Sequence, residues 1–131
     1  MIDVVYSDVC GVDISKAWFD LALDGRVYRV EQREKKVNKF IKKHLSKHKK
    51  LLCVMESTGG YEHMLAYQLL DAGIDVHIAH PNKVAAFAKA KGRLAKTDPI
   101  DAQILAEYGH FLSPDELREP LTREQLKLRQ Y

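Results

Sequence analysis

Residues 8–31 read DVCGVDISKAWFDLALDGRVYRVE, and the fold turns on how this stretch divides. DVCGVD (8–13), AWFDLAL (17–23) and RVYRVE (26–31) are short β-favouring runs, and Asp24-Gly25 between the last two is a two-residue hairpin signal. The spacing predicts two or three antiparallel strands at the start of the fold. Immediately afterwards the period changes. Over Glu34 to Lys47 the apolar residues Val37, Phe40, Ile41 and Leu45 recur at helical spacing while most other positions are lysine, which predicts an amphipathic basic helix.

Outward from there the period alternates. LLCVM (51–55) reads as a fully buried strand, Tyr61 to Ala72 as a helix ended by Gly73, and IDVHIA (74–79) as a second buried strand. Pro81 marks the next change of element. NKVAAFAKAK (82–91) is alanine-rich and helical, Gly92 breaks it, and a short basic linker leads to Asp98-Pro99. Thr97 or Asp98 as cap and Pro99 in the first turn predict a helix from about Pro99 to Tyr108, stopped by Gly109. Beyond Pro114 and Pro120, Thr122 with Gln125 three residues on is a capping-box pattern opening a further helix. The order βββ-α-β-α-β-α combines an antiparallel meander with parallel βαβ additions, which matches an α/β, ribonuclease H-like mixed five-stranded sheet flanked by helices.

Length and composition agree with one domain. The chain has 131 residues, 46% hydrophobic and 30% charged, enough for a single core. It has no run of about 18 apolar residues to span a bilayer, and its N-terminus carries acids where a secretory leader carries basic residues. A cytoplasmic, membrane-independent protein is expected. Cys10 and Cys53 lie in apolar segments and read as small core residues rather than a disulfide.

The net charge of +3 is modest, but Arg26 to Lys50 holds eleven Lys/Arg against two acids, Glu31 and Glu34. Such a run is often a solvated face; with so few acids among Lys35, Lys36, Lys39, Lys42, Lys43, Lys47, Lys49 and Lys50, phosphate contact is the sharper reading. A second basic group, Lys89, Lys91, Arg93 and Lys96, precedes Asp98 and is placed to guide a phosphate backbone.

The acids carry the chemistry. Asp13 ends the first strand and Glu56 the fourth, so if these strands are neighbours both carboxylates project from one C-terminal sheet edge, where open α/β sheets hold ligands. Asp98 and Asp101, three apart at a helix start, share a face. Like charges so placed repel and raise one another's pKa, which Mg²⁺ or Mn²⁺, hard cations that prefer oxygen donors, would relieve. Two such ions about 4 Å apart serve phosphodiester chemistry. The plainer alternative is that Asp98 is only an N-cap and the rest are surface acids.

Other candidates weigh less. His63, His77 and His80 lack finger-type spacing, and no zinc is expected. Ser57-Thr58-Gly59-Gly60 follows a strand like a phosphate-binding turn but lacks the Walker lysine, and neither hydroxyl has an identifiable base. Tyr6, Trp18 and Tyr61 read equally as base-stacking or core residues.

Together GVDISKAWFDLAL, VMESTGGYE, HIAHPNKVAAFAKAKGRLAKTDPIDAQILAEYG and LTREQLKLRQ resemble the N-terminal domain of the DEDD transposases of the insertion sequence 110 group, related to the Piv-type DNA invertases. The likeness covers nearly the whole chain, and its motifs (G-V-D with a following Lys, E-x-T-G-x-Y, K-T-D-x-x-D-A) are specific in combination. It implies that Asp13, Glu56, Asp98 and Asp101 are the catalytic and metal-binding acids of a RuvC-like domain using Mg²⁺. It further implies residues 1–112 as that domain and 113–131 as a linker and the start of a coiled-coil helical segment. The C-terminal transposase domain with its serine nucleophile would be absent. Implied partners are DNA, a structured guide RNA that pairs with it, and further copies of the chain through the helical segment.

The resulting expectation is a metal-dependent DNA transposase or recombinase domain of a bacterium or archaeon, inactive in strand exchange alone. A stand-alone RuvC-like junction nuclease and a non-catalytic nucleic-acid-binding module are the alternatives. Actin-like and sugar-kinase relatives also begin with a G-x-D-type hairpin but need two such domains, which this length excludes.

Overall fold

The structure is a computed structural model that describes residues 6–56, 59–92, 100–112, 122, 124 and 125. Its centre is the strand β1 (Asp8–Ile14), followed by β2 (Trp18–Leu23) and β3 (Arg26–Glu31) as an antiparallel meander. β2 and β3 meet at Asp24 and Gly25, whose φ values of 53° and 77° are the left-handed pair of a type I′ turn. β4 (Leu51–Glu56) and β5 (Asp75–Ala79) add in parallel on the other side of β1, giving the sheet order β3-β2-β1-β4-β5. This is the mixed five-stranded sheet that the order of periodicities predicts.

Helices cover both faces, and the strand period of two assigns each residue to one of them. Cys10, Val12 and Ile14 of β1, with Phe19 and Leu21 of β2 and Cys53 and Met55 of β4, pack beneath α1 (Glu34–Phe40) and α2 (His63–Asp71). The alternate residues, Val9, Leu52 and Val54, pack beneath α3 (Pro81–Ala90) and α4 (Ala102–His110). Cys10 and Cys53 are register partners, fully buried and present as free thiols.

α1 buries the residues its period assigns to the core: Val37, Phe40, Ile41 and Leu45 are all inside. The helix does not run regularly to Lys47. From Ile41 to Leu45 it widens into a π-helical turn, closed by the Ser46 amide donating to the Ile41 carbonyl at 3.0 Å. Four apolar residues at positions 37, 40, 41 and 45 are kept on one face by that insertion while the lysines stay exposed. α3 begins with Pro81 in its first turn, capped by the His80 side chain, which accepts from the Asn82 amide at 3.1 Å.

The last described helix departs from expectation at both ends. α4 starts at Ala102 with Asp101 as its cap, and it continues through Gly109 to His110. Gly109 does not terminate the helix, because its missing side chain is used for packing: a Cβ there would collide with Val9 and Val54. Gly11 on β1 does the same opposite it, since a Cβ would run into the Ala102 carbonyl and the backbone around Leu105 and Ala106. Two glycines, one on each element, let α4 lie against β1 almost backbone to backbone. Farther on, Thr122 and Gln125 make the reciprocal capping-box bonds at 3.0 and 3.1 Å that their spacing predicts.

Candidate active site

The acids of the first and fourth strands are brought together by register. Val12 pairs with Met55 in the parallel β1·β4 ladder, one residue before Asp13 and Glu56. Both acids have the parity of Val9 and Val54, so both project on the α4 face. Asp101 reaches the same place from α4, because the close crossing at Gly11 brings the helix N-terminus beside the end of β1. Its Oδ1 accepts from the Ile104 amide at 2.9 Å, an N-cap bond that fixes the carboxylate.

The electrostatics agree with convergence. Burial lifts the Asp13 carboxyl above its ordinary range, Asp20 and Asp101 push it further, and Arg29 opposes them. Burial likewise lifts Glu56, with Asp13 adding to the effect. Asp13 therefore feels the charge of Asp101, and Glu56 that of Asp13. Asp101 precedes the helix with extended backbone (φ −113°, ψ 176°) rather than lying on a helix face as expected, and Asp98 lies outside the described residues, as do Arg93, Lys96, Ser57 and Thr58.

Two residues at this edge were not singled out from the sequence. Asp20 is the register partner of Asp13, and Arg29 is the register partner of Asp20, so the three stand in a row across β1, β2 and β3 on the α4 face. Arg29 grips Asp20 with two bonds, Nε to Oδ1 at 2.8 Å and Nη2 to Oδ2 at 3.1 Å, and its guanidinium lies 4.6 Å from the Trp18 ring centre. A polar residue between apolar ones in WFDLAL was the available sign.

Among the described residues, the candidate ligand atoms at this edge are carboxylate oxygens, the set a hard divalent cation prefers, and their mutual repulsion is what such a cation would offset. The three acids are more open than a closed chelate, however. Among the described residues, the one group of three whose ligand atoms lie within 4.8 Å of one another is Asp8, Asp24 and His48, at the opposite end of β1. There His48 Nδ1 sits 2.6 Å from Asp8 Oδ2, pinning the segment before β4 to the start of β1.

The basic residues form a surface of their own. Lys35, Lys39, Lys42 and Lys43 line a shallow groove along α1, and Lys36, Lys39 and Lys43 share a neighbouring groove of about 300 Å³ with Arg29. His44, stacked between Tyr28 and Phe40, has its pKa lowered by desolvation and by Lys43, Lys47 and Arg26. Lys91 is exposed, with its ammonium 5.0 Å from the Phe111 ring centre. Of the three aromatic residues open to either reading, Trp18 and Tyr61 are exposed, whereas Tyr6 is half-buried and donates to Asp75 Oδ2 at 2.7 Å. No helix among the described residues is long and apolar enough to cross a membrane.

The sheet order with its flanking helices is a RuvC-like, ribonuclease H-type fold. Thermus thermophilus RuvC superposes with a TM-score of 0.56 at 15% identity, covering 87% of this chain and 99% of that one. The same protein in complex with a Holliday junction substrate gives 0.54 at 15% identity and the same coverage. Residues 10–130 match the model of the DEDD transposase family of IS110 type, and the chain belongs to that family. Among curated proteins it is similar to the pilin gene-inverting protein of Moraxella bovis, 30% identical over 125 residues, and to that of Moraxella lacunata, 36% identical over 75. The matches cover 90% and 57% of this chain but 38% and 23% of those relatives, so the chain spans well under half of their length.

Proposed function

We propose that this chain is the metal-dependent catalytic domain of a DNA transposase or site-specific recombinase, which cuts and rejoins phosphodiesters during DNA transposition. The observation that carries the reading is the placement of Asp13, Glu56 and Asp101 at one sheet edge, with Asp13 sensing the charge of Asp101 and Glu56 that of Asp13, within a chain of this family. Asp13, Glu56, Asp98 and Asp101 are its catalytic acids and would hold Mg²⁺ or Mn²⁺. A divalent cation there supplies charge stabilisation for the oxygens of the reacting phosphate.

The chain's own residues orient that chemistry. Asp101 is aimed by its cap bond, Asp13 and Glu56 by the parallel register, and Arg29 tempers the negative field through Asp20. Lys35, Lys36, Lys39, Lys42 and Lys43 on one side, and Lys91, Arg93 and Lys96 on the other, hold nucleic acid by its phosphates. The inversion of a pilin gene named for the Moraxella relatives and the junction bound by RuvC both point to DNA as the partner. A structured guide RNA and further copies of the chain complete the assembly. Residues 1–112 form the catalytic domain and 113–131 lead into a helical segment, which the Thr122/Gln125 capping pair supports.

Calorimetric titration of Mg²⁺ and Mn²⁺ tests the reading. The wild type is expected to show saturable binding, lost in Asp13→Ala and in Asp101→Ser, where serine keeps the helix cap but removes the carboxylate. Unchanged binding in both variants, with thermal melts showing both folded, sinks the assignment.

A further inference from the structure

The face of the sheet that carries the acids continues past α4 onto β2 and β3, where several of the described residues are exposed. Residues of one parity, Trp18, Asp20 and Ala22 on β2 with Val27, Arg29 and Glu31 on β3, share this face through the pairs Trp18↔Glu31, Asp20↔Arg29 and Ala22↔Val27. Ala22 is buried, but Trp18 is 41% exposed, Val27 51%, and the Arg29 side chain 62%. The indole is braced on this face. The Ser15 amide and hydroxyl both bond the Trp18 carbonyl, at 2.9 and 2.8 Å, and Arg29, itself fixed by its two bonds to Asp20, lies against the ring.

We infer that this face is a platform for an unpaired DNA strand, with a base stacked on the Trp18 indole and the neighbouring phosphate met by Arg29. The inference rests on the nucleic-acid reading above for its ligand class and adds the form of the strand and the residues that take it. Three observations select this occupant. Charge complementarity is first: Arg29, on this face, also lines the groove of Lys36, Lys39 and Lys43 at the β3 edge, so a backbone that rounds that edge meets lysines. The acid opposite Trp18, Glu31, is drawn off by Arg33 at 3.6 Å. Second, the platform is an amphipathic stack of indole and guanidinium, which accepts any base by its π face. Bases inside a duplex are already stacked and do not offer that face.

Third is placement. Trp18 lies on β2 two residues from Asp20, the partner of Asp13, so its Cα stands about 8 Å from that of Asp13, one strand spacing across and two residues along. A strand laid over the indole therefore runs toward the carboxylates on the same face. Trp18 and Arg29 touch the strand and not the reacting phosphate; they set where an opened strand enters.

The chain contains a single tryptophan, so its own fluorescence reads the platform. A short oligodeoxythymidylate, titrated without divalent metal, is expected to quench Trp18 saturably, while a blunt duplex of the same length leaves the emission unchanged. By anisotropy of a labelled strand, Trp18→Ala should bind about tenfold more weakly and Trp18→Phe about as well as wild type, since stacking of a base on an aromatic ring is removed only in the first. Absence of quenching, equal quenching by the duplex, equal affinity of Trp18→Ala, or preference for oligouridylate each overturns the inference. Its failure is distinct from that of the catalytic reading: Mg²⁺ binding that depends on Asp13, with an indifferent Trp18, removes only the platform. Strand binding that depends on Trp18, in a protein that takes no Mg²⁺, removes only the catalytic site.

Discussion

Asp13 stands where the acids of the sheet edge come together, and its surroundings give its ionisation a definite sign. Burial, Asp20 and Asp101 raise its carboxyl, and burial and Asp13 raise Glu56, from ordinary values of 3.8 and 4.5. A carboxyl whose pKa is higher in the folded state binds more protons there than in the unfolded chain, so its stabilising effect is complete at low pH and is lost as the pH rises through the raised values. The metal-free protein is therefore expected to lose melting temperature from about pH 4 upward relative to Asp13→Asn, in which that titration is gone, and Mg²⁺ at neutral pH should restore it. Parallel wild-type and Asp13→Asn melting curves across that range would count against the charge cluster. Asp13, Glu56 and Asp101 were legible from the sequence as acids at element ends. Asp20 and Arg29 were not, because their relevance comes from lying opposite Asp13 and opposite each other, and register across a meander is a property of the paired strands.

At the scale of elements, the crossing of α4 over β1 sets the site. Gly11 and Gly109 both sit where a Cβ would enter the other element's atoms, so either substitution pushes the helix outward. Gly11→Ala is expected to cost about 1–3 kcal/mol in chemical denaturation, as overpacking in a dense core does, and to weaken Mg²⁺ binding by displacing Asp101. A variant with unchanged stability would mean that the crossing has slack. The sequence pattern placed this helix correctly in order and mistook its ends. Pro99 and Gly109 are ordinary start and stop signals, yet the cap that forms is the Asp101 one, and Gly109 is inside the helix because packing against Val9 and Val54 outweighs its weak helix propensity. The π-helical turn at Ile41–Leu45 escaped the pattern similarly: the apolar spacing announced a buried face, and the core decided how the backbone would reach it.

The whole molecule is divided by charge as well as by layers, with acids at the C-terminal edge of β1 and β4 and lysines along α1, joined by Arg29. Nucleic-acid binding through such a surface releases counterions, so log K is expected to fall linearly with log salt. Replacing Lys39 and Lys43 by glutamine should flatten that slope by about one for each of the two lysines that meets a phosphate. A slope unaffected by the double replacement would assign the lysines to solvation alone.

The amino-acid sequence by itself determined the order of strands and helices, the buried face of α1, the two-residue hairpin turn at Asp24-Gly25 and the placing of Asp13 and Glu56 at strand ends, because periodicity, turn chemistry and caps are written in residues near one another along the chain. Only the tertiary structure decided that Asp20 stands beside Asp13, that Arg29 lies on Trp18, and that two glycines bring the Asp101 cap to the end of β1. Those contacts join residues far apart in sequence, and their geometry is set by strand register and by the close packing of a helix on a sheet, which no local pattern encodes.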